Sequence, residues 1–122
     1  MRENQRGEET FRLNGKSFST SPAELTVLPE LLNASYGRDY YVIVGNACFV
    51  WFNFSSNKIE PGAILCNLSS KFRPKFRCCG IAHTADAIPI NVFFNENGLI
   101  TLHPASAIGS TSTIYGFVIG IK

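Results

Sequence analysis

Four basic side chains alternate with apolar ones in one short stretch of the sequence. The stretch reads KFRPKFR from residue 71 to residue 77, and its cations are Lys71, Arg73, Lys75 and Arg77. Because alternate side chains of an extended backbone point to opposite sides, these cations would share one side and form a basic comb. The comb could bind phosphate groups, acidic sugars or a nucleic-acid backbone, with arginine supplying bidentate hydrogen bonds. The alternative interpretation is a solvated strand face that prevents edge-to-edge pairing.

The other members of this stretch limit where it can lie. Pro74 has no backbone N–H to donate, so it favours a sheet edge or a loop over a central strand. Phe72 and Phe76 would lie opposite the cations, where we expect them to pack into the core. Nucleic-acid sites usually add exposed aromatic side chains to a wide basic surface. Binding of nucleic acid through the comb is therefore the weaker functional alternative.

The second candidate site is the pair His83 and Asp86, which are three residues apart. The pair could be a fragment of a catalytic triad, but no nucleophile motif accompanies it. A local hydrogen-bonding pair at a turn is the simpler interpretation. Sugar contacts usually come from loops that join strands. The candidates for such contacts are His83, Asp86, Asn95 and His103.

The acidic residues do not form the pairs that hydrolysis requires. The acids that follow Glu30 are isolated in predicted turns, and they are Asp39, Glu60, Asp86 and Glu96. No paired carboxylates, glycine-rich phosphate loop or metal-ligand cluster is apparent in the sequence. The sequence therefore predicts a protein that is not an enzyme and that needs no cofactor and no metal.

The four cysteines do not have the spacing of a zinc site. They are Cys48, Cys66, Cys78 and Cys79. Adjacent residues in a strand point to opposite faces, so a bond between Cys78 and Cys79 is disfavoured. We expect buried free thiols, and a Cys48–Cys66 bridge is the open alternative.

The most apolar stretch of the chain runs from Tyr40 to Phe54 and reads YYVIVGNACFVWFNF. Gly45-Asn46 is a two-residue turn signal, so the stretch predicts a β-hairpin with strands to about Val44 and from about Cys48. Both faces of the second strand are apolar, so it must be covered by a second sheet, a partner subunit, or both. Trp51, in the middle of that strand, is expected in the core or at a subunit contact. The stretch is too short to span a membrane, so no membrane insertion is expected.

The length and composition of the chain favour one folded domain with a polar extension. The chain has 122 residues, 45% of them hydrophobic, with 11 basic and 9 acidic residues and a net charge of +2. A charge this close to zero predicts no general attraction to nucleic acid or to membranes. Residues 1–21 are polar and carry no secretory signal. They are predicted to be an N-terminal arm or connector, and residues 22–122 to be a β-sandwich domain.

Further strand signals follow the central hairpin at spacings that are typical of a sandwich. Asn97-Gly98 predicts a hairpin turn, and an apolar strand runs from about Thr113 to Ile121. In all, the sequence predicts seven or eight strands and an all-β, antiparallel fold.

The order of these signals resembles the head, or tip, domains of bacteriophage and prophage tail-fibre and baseplate receptor-binding proteins. The matching parts are Tyr40–Phe54, Pro61-Gly62-Ala63 with Leu68 and Arg73-Pro74, Val92–Phe94, Asn97-Gly98, Leu99–Leu102 and Ile114–Ile121. The resemblance implies a jelly-roll-like β-sandwich that forms a homotrimer and does not catalyse a reaction.

The same resemblance implies partners and a location. The head would contact host cell-surface polysaccharide or teichoic acid and other tail or baseplate subunits, and it would be part of the virion after synthesis in the host cytoplasm. The ligand-binding residues would come from Lys71, Arg73, Lys75, Arg77, His83 and Asp86. The alternatives are a structural or assembly subunit of a virion without glycan binding, and an anion or nucleic-acid binder that uses the comb.

Overall fold

The computed structural model describes residues 10–13, 16–19, 22–37, 39–110 and 112–122. It contains eleven strands and, in these ranges, no helix. The strands are β1 (Thr10–Leu13), β2 (Lys16–Ser19), β3 (Ala23–Glu24), β4 (Leu32–Gly37), β5 (Tyr40–Val44), β6 (Ala47–Ser56), β7 (Ala63–Asn67), β8 (Cys78–Thr84), β9 (Pro89–Phe94), β10 (Leu99–Pro104) and β11 (Ser112–Ile121).

Nine of the strands form one antiparallel sheet in the order β3-β5-β6-β11-β8-β9-β10-β7, with β4 also paired to β6. Seven of the nine, β5 to β11, are regular strands, whereas β3 has two residues and β4 is irregular. The sheet curls into a half-barrel. The segment after β3 reaches the opposite end of the strand order, where the Leu28 N–H donates to the Leu65 carbonyl of β7 at 2.9 Å. The prediction of an all-β antiparallel fold is confirmed.

The first two strands pair only with each other and form a separate two-stranded sheet. Both strands lie inside the predicted arm, residues 1–21. The other residues of that arm are outside the described residues. The boundary between an arm at 1–21 and a domain at 22–122 therefore stays a prediction.

The predicted central hairpin is present as β5 and β6. Gly45 has a φ of 61° at the first turn position, which is the pattern of a type II′ turn that begins with glycine. The turn sets a register in which Tyr40 lies opposite Trp51. On its other side β6 pairs with β11 along its whole length. The hairpin thus places β6 near the middle of the curled sheet.

The two faces of β6 have different surroundings. Its core face is buried and consists of Cys48, Val50, Phe52, Phe54 and Ser56. On the outer face, Phe49 and Trp51 are only half-buried. In a single chain the sheet therefore covers one apolar face of β6 and leaves the other partly open to solvent.

The core packs closely enough to require a glycine in β11. Gly116 lies opposite Phe52 in the β11–β6 register. A Cβ atom at Gly116 would collide with the Phe52 ring and with the Cβ atom of Ala82. The missing side chain lets the Phe52 ring lie across β11, which seals the core at that point.

All four cysteines are free thiols. Cys48, Cys66 and Cys78 are buried, whereas Cys79 is exposed. Cys78 and Cys79 thus lie on opposite faces of β8, as adjacent strand residues must. Burial raises the pKa values of Cys48 and Cys66 to about 12, because a thiolate is poorly solvated inside the core. The Cys48–Cys66 bridge is absent, and only Cys79 departs from the expected burial.

The described part of the chain contains no helix that is long and apolar enough to cross a membrane.

Candidate functional site

The predicted basic comb is not part of a strand, because residues 71–77 make a turn and a loop between β7 and β8. The N–H groups of Lys71 and Phe72 both donate to the Leu68 carbonyl at 2.8 Å, which coils the start of the stretch. The regular extended strand from which the comb was argued is therefore absent at the start of this stretch. Pro74 lies in the loop, which confirms that it is not in a central strand.

The two phenylalanines of this loop have opposite surroundings. Phe72 is buried, and its ring centroid lies 5.8 Å from that of Phe94. Phe76 is 53% exposed, so its predicted place in the core is wrong. A turn near Phe76 breaks the alternation that would have placed the two rings on one side.

The four cations are exposed but have different partners. The Arg73 Nε donates to the Ser69 carbonyl at 3.1 Å. The Lys75 backbone N–H donates to the Ile121 carbonyl. The Arg77 guanidinium lies over the Phe93 ring, with its Cζ atom 4.8 Å from the ring centroid. The two arginine side chains thus have different partners, and the Lys75 contact is made by its backbone. Binding of an anion or of nucleic acid through these four cations stays a prediction.

His83 and Asp86 lie near the β8–β9 turn as predicted, but no hydrogen bond between their side chains is found among the described residues. The His83 Nδ1 donates to the Thr84 carbonyl at 2.8 Å, and the ring lies 5.5 Å from the Tyr115 ring. The Asp86 backbone N–H donates to the Thr84 Oγ1 at 3.2 Å. The predicted local pair is therefore replaced by two separate bonds to Thr84.

Strand β8 separates the two predicted sites. Arg77 precedes its first residue, and Asp86 follows its last residue by two positions. A strand of seven residues spans roughly 20 Å. The six predicted ligand-binding residues are therefore divided between opposite ends of the sheet, and they do not form one site.

The β9–β10 hairpin carries a cluster that sequence reasoning identified only in part. We call it the Arg77 cluster, and it consists of Arg77, Phe93, Asn95, Thr101 and His103. The Phe93 and His103 ring centroids are 4.6 Å apart. The Thr101 Oγ1 lies 2.7 Å from the His103 Nε2 and accepts a hydrogen bond from the Asn95 Nδ2 at 3.1 Å.

A sequence signal for this cluster exists in the Asn97-Gly98 turn. The turn fixes a register in which Phe93 lies opposite Thr101, and Asn91 opposite His103. Side chains at 93, 101 and 103 then share one face of the sheet. Asn95 and His103 were proposed as sugar contacts, but Phe93 and Thr101 were not.

A second surface feature is the apolar outer face of β5, β6, β11 and β8. One row across the sheet pairs Tyr40 with Trp51, Trp51 with Phe117 and Phe117 with Ile81. Ile81 is 65% exposed and Phe117 is 44% exposed. The members of this apolar outer face are Tyr40, Val42, Phe49, Trp51, Ile81, Tyr115 and Phe117. Trp51, with its ring centroid 6.0 Å from that of Tyr40, is half-buried in this face of the single chain.

A cleft lies at the Asp86 end of the sheet. Its volume is about 350 Å³, and Asp86, Ser106 and Ser112 contribute polar groups to its lining. Ile88 and Pro89 supply an apolar surface. A carboxylate and hydroxyls beside an apolar surface are suited to hydroxyl-rich ligands.

A further cleft of about 390 Å³ lies between the Leu28–Leu31 turn and the edge of β7. Its charged side chains include Lys58 and Glu60, which form an ion pair at 3.2 Å. Among the described residues, no group of three or more histidine, cysteine or acidic side chains could hold a metal ion.

Asp39 is the one buried acid of the described residues. Its Oδ1 accepts a hydrogen bond from the Asn53 backbone N–H at 2.9 Å. Burial raises the pKa of this carboxyl, the hydrogen bond opposes the rise, and the nearby charge of Glu24 adds to it. Asp39 is thus a structural group that fixes the entry to β5.

The fold has a known counterpart. The chain is similar to the head domain of phage bIL170, whose crystal structure superposes on it with a TM-score of 0.59. That head domain was compared with the receptor binding domains of lactococcal phages. The likeness covers 84% of this chain and 97% of that chain at 13% sequence identity. The fold is similar to that of a phage receptor-binding head. No protein-family profile and no curated protein matches the sequence.

Proposed function

We propose that this protein is the receptor-binding head of a phage-type tail or baseplate protein, and that it attaches to host-surface carbohydrate without a catalytic step. The observation that carries the proposal is the similarity to the phage bIL170 head domain over 84% of this chain. The likeness also extends over 97% of that domain, so it concerns the whole head and not one part of it. The protein would then be part of the virion tail, and its synthesis would take place in the host cytoplasm.

A homotrimer forms part of this proposal. The apolar outer face is contiguous across four strands, and contiguous exposed apolar surfaces of this kind mark interaction sites in soluble proteins. Copies of the chain that pack through this face would cover Trp51 and Phe117, which the single chain leaves open. The second apolar side of β6 would then be covered by a partner subunit.

The oligomeric state tests that part of the proposal. Static light scattering at micromolar concentration should give three times the chain mass for the wild type. Phe117→Ser should shift the mass towards that of one chain. The matched control is Ile64→Ser, because Ile64 is similarly exposed but lies on β7, away from the apolar outer face. A monomeric wild type, or equal effects of the two substitutions, would contradict the trimer.

The carbohydrate would be a polysaccharide or teichoic acid of the host cell wall. The cleft beside Asp86 supports this choice, because its carboxylate can accept hydrogen bonds from sugar hydroxyls while Ile88 and Pro89 contact the apolar side of a ring. The fluorescently labelled full chain should bind cells and purified wall polysaccharide from some strains of a bacterial panel. Asp86→Ala should weaken that binding, and Glu96→Ala, another exposed turn acid, should not.

A structural or assembly subunit without glycan affinity is the second candidate. The apolar outer face favours it, because a subunit that only assembles needs such a contact and no ligand site. Cell-wall binding by the wild type would remove this candidate. Assembly into trimers without binding to any wall preparation would favour it over receptor binding.

A further inference from the structure

Arg77 is held in place without an acidic partner. Its guanidinium lies over the ring of Phe93, with 4.8 Å between Cζ and the ring centroid. The one ion pair found among the described residues is that between Lys58 and Glu60. Arg77 therefore packs on an aromatic ring, carries an unneutralised charge and has an exposed side chain. This is the arrangement that a guanidinium needs to donate two parallel hydrogen bonds to an oxyanion.

Phe93 organises a second group on the same surface. The His103 ring lies 4.6 Å from the Phe93 ring, centroid to centroid. Its Nε2 is 2.7 Å from the Thr101 Oγ1, which in turn accepts a hydrogen bond from the Asn95 Nδ2. The hydrogen bond to Thr101, which Asn95 in turn holds, fixes the orientation of the His103 ring against Phe93.

The surroundings of the Arg77 cluster favour an external ligand. The outer face of the sheet is apolar across β5, β6, β11 and β8 and becomes polar at β9 and β10, where Asn91 and His103 are paired. If copies of the chain cover the apolar part, the Arg77 cluster lies at the rim of that contact. A rim position keeps the cluster open to a long polymer.

We propose that Arg77, Phe93 and His103 form a subsite for an anionic group of the host-surface glycan, either a phosphate or a carboxylate substituent. The inference rests on the proposed function and adds a second contact region, separated by the length of β8 from the cleft at Asp86. Arg77 binds the oxyanion through its planar fork, and Phe93 holds that fork in orientation. His103 packs against the same Phe93 ring and helps to hold it in place.

The test uses the full 122-residue chain labelled with ¹⁵N and three small probes. The probes are sn-glycerol 3-phosphate, glucuronate and, as a neutral comparison, glycerol. We expect one or both anions to shift the amide signals of β9 and β10 near Phe93 and His103, and glycerol to leave them unchanged. A response to the phosphate alone assigns a phosphate substituent, and a response to glucuronate alone assigns a carboxylate.

Matched arginine variants separate the subsite from general attraction by positive charge. Arg77→Gln should weaken binding of the responsive anion by about tenfold, as expected for loss of a charge-assisted hydrogen-bonding pair. Arg73→Gln removes the same charge from the same loop, but Arg73 is bonded to the Ser69 carbonyl, so it should change binding by less than about twofold. Arg77→Lys keeps the charge without the fork and should fall between the two.

Three outcomes would overturn the inference. They are no response to either anion, equal weakening by Arg77→Gln and Arg73→Gln, and unchanged binding of purified wall polysaccharide by Arg77→Gln. The third outcome leaves the proposed function intact, because the wild type still binds the wall. Conversely, a chain that binds the anions through Arg77 but binds no wall preparation would support the subsite and contradict the proposed function. Thermal melts of each variant check that these exposed substitutions leave the fold unchanged.

Discussion

Ala87 and Gly98 occupy the same left-handed position in two successive hairpins, with φ angles of 68° and 88°. In each hairpin this residue is the last of a four-residue turn, and its N–H closes the turn. Ala87 N–H donates to the Thr84 carbonyl, and Gly98 N–H donates to the Asn95 carbonyl. This is the three-residue hairpin loop in which the last residue usually is glycine. The β9–β10 hairpin has the favoured residue, whereas the β8–β9 hairpin does not.

Replacing Ala87 by glycine should stabilise the protein. A residue with a Cβ atom is strained in the left-handed region by about 1 kcal/mol, and glycine is not. We expect Ala87→Gly to raise the free energy of unfolding by roughly that amount, measured by urea denaturation at fixed protein concentration. Ala85→Gly is the control, because Ala85 has no positive φ and the substitution only adds freedom to the unfolded chain. A loss of stability in both variants would refute the strain argument.

Gly98→Ala should have the opposite effect and a larger one. A Cβ atom at Gly98 would lie 2.7 Å from the Ser69 backbone nitrogen, so the new methyl group adds a collision to the left-handed strain. We expect a loss of more than about 2 kcal/mol in the free energy of unfolding. Gly62→Ala has a similar φ of 92° but meets no atom within 4 Å. The difference between the two losses measures the collision, and equal losses would show that there is none.

Turn chemistry explains why the hairpins were predictable from the sequence. Gly45-Asn46 and Asn97-Gly98 are local signals, and each structure-determining φ angle falls on a glycine of these pairs. Thr84 and Ala87 make an equally tight turn without such a signal, so no pair of turn residues marks the β8–β9 hairpin in the sequence. Composition and alternation were sufficient for the all-β class, because they depend on the whole chain.

The candidate site was less predictable because its geometry depends on contacts between distant residues. The alternation in 71–77 indicated an extended strand, but the Leu68 carbonyl accepts two N–H groups there and coils the backbone. The Asn97-Gly98 register is enough to place Phe93 on one face with Thr101 and His103. The contact of Phe93 with Arg77 is different, because it joins the hairpin to a loop that is distant in sequence. The apolar outer face was predictable as a pattern, whereas its exposure in a single chain follows only from the curl of the sheet.

Two buried hydroxyls should respond oppositely to removal. Among the described residues, Ser56 Oγ is the buried side-chain polar atom without a hydrogen-bond partner. Thr84 Oγ1 instead accepts hydrogen bonds from the Asp86 and Ile88 N–H groups. We expect Ser56→Ala to raise the free energy of unfolding by about 1 kcal/mol, and Thr84→Val to lower it by about 1–2 kcal/mol. Urea denaturation measures both changes, and a destabilised Ser56→Ala would mean that this hydroxyl has a partner.

Thiol chemistry should distinguish Cys79 from the buried cysteines. Only the thiolate reacts with alkylating reagents, and Cys48 and Cys66 have pKa values raised to about 12 by burial. At pH 8 we expect one thiol to react in the folded protein and four in denaturant, counted by mass spectrometry. Cys79→Ser should remove the reaction of the folded state. Two or more modified thiols in the native protein at pH 8 would contradict the described burial.

Asp39 should make the protein less stable as the pH rises from acid towards neutral. Its pKa in the folded state lies above the ordinary value of 3.8, so the folded protein holds the proton more tightly than the unfolded chain does. Between the two pKa values, folding therefore takes up protons, and the contribution of Asp39 to stability falls as the pH rises through the folded pKa. At pH values below 3.8 this contribution is fully present.

Asp39→Asn provides the measurement, because the amide oxygen can still accept the hydrogen bond from the Asn53 N–H but does not titrate. The difference in free energy of unfolding between wild type and Asp39→Asn isolates this one group from the other carboxyls. We expect the difference to shift against the wild type as the pH rises above about 4. Glu24→Gln removes the neighbouring charge that helps to raise the pKa, so it should reduce the shift. A difference that is constant with pH would mean that the hydrogen bond from Asn53 balances the burial of the carboxylate, and one that moves in favour of the wild type would mean that it outweighs the burial.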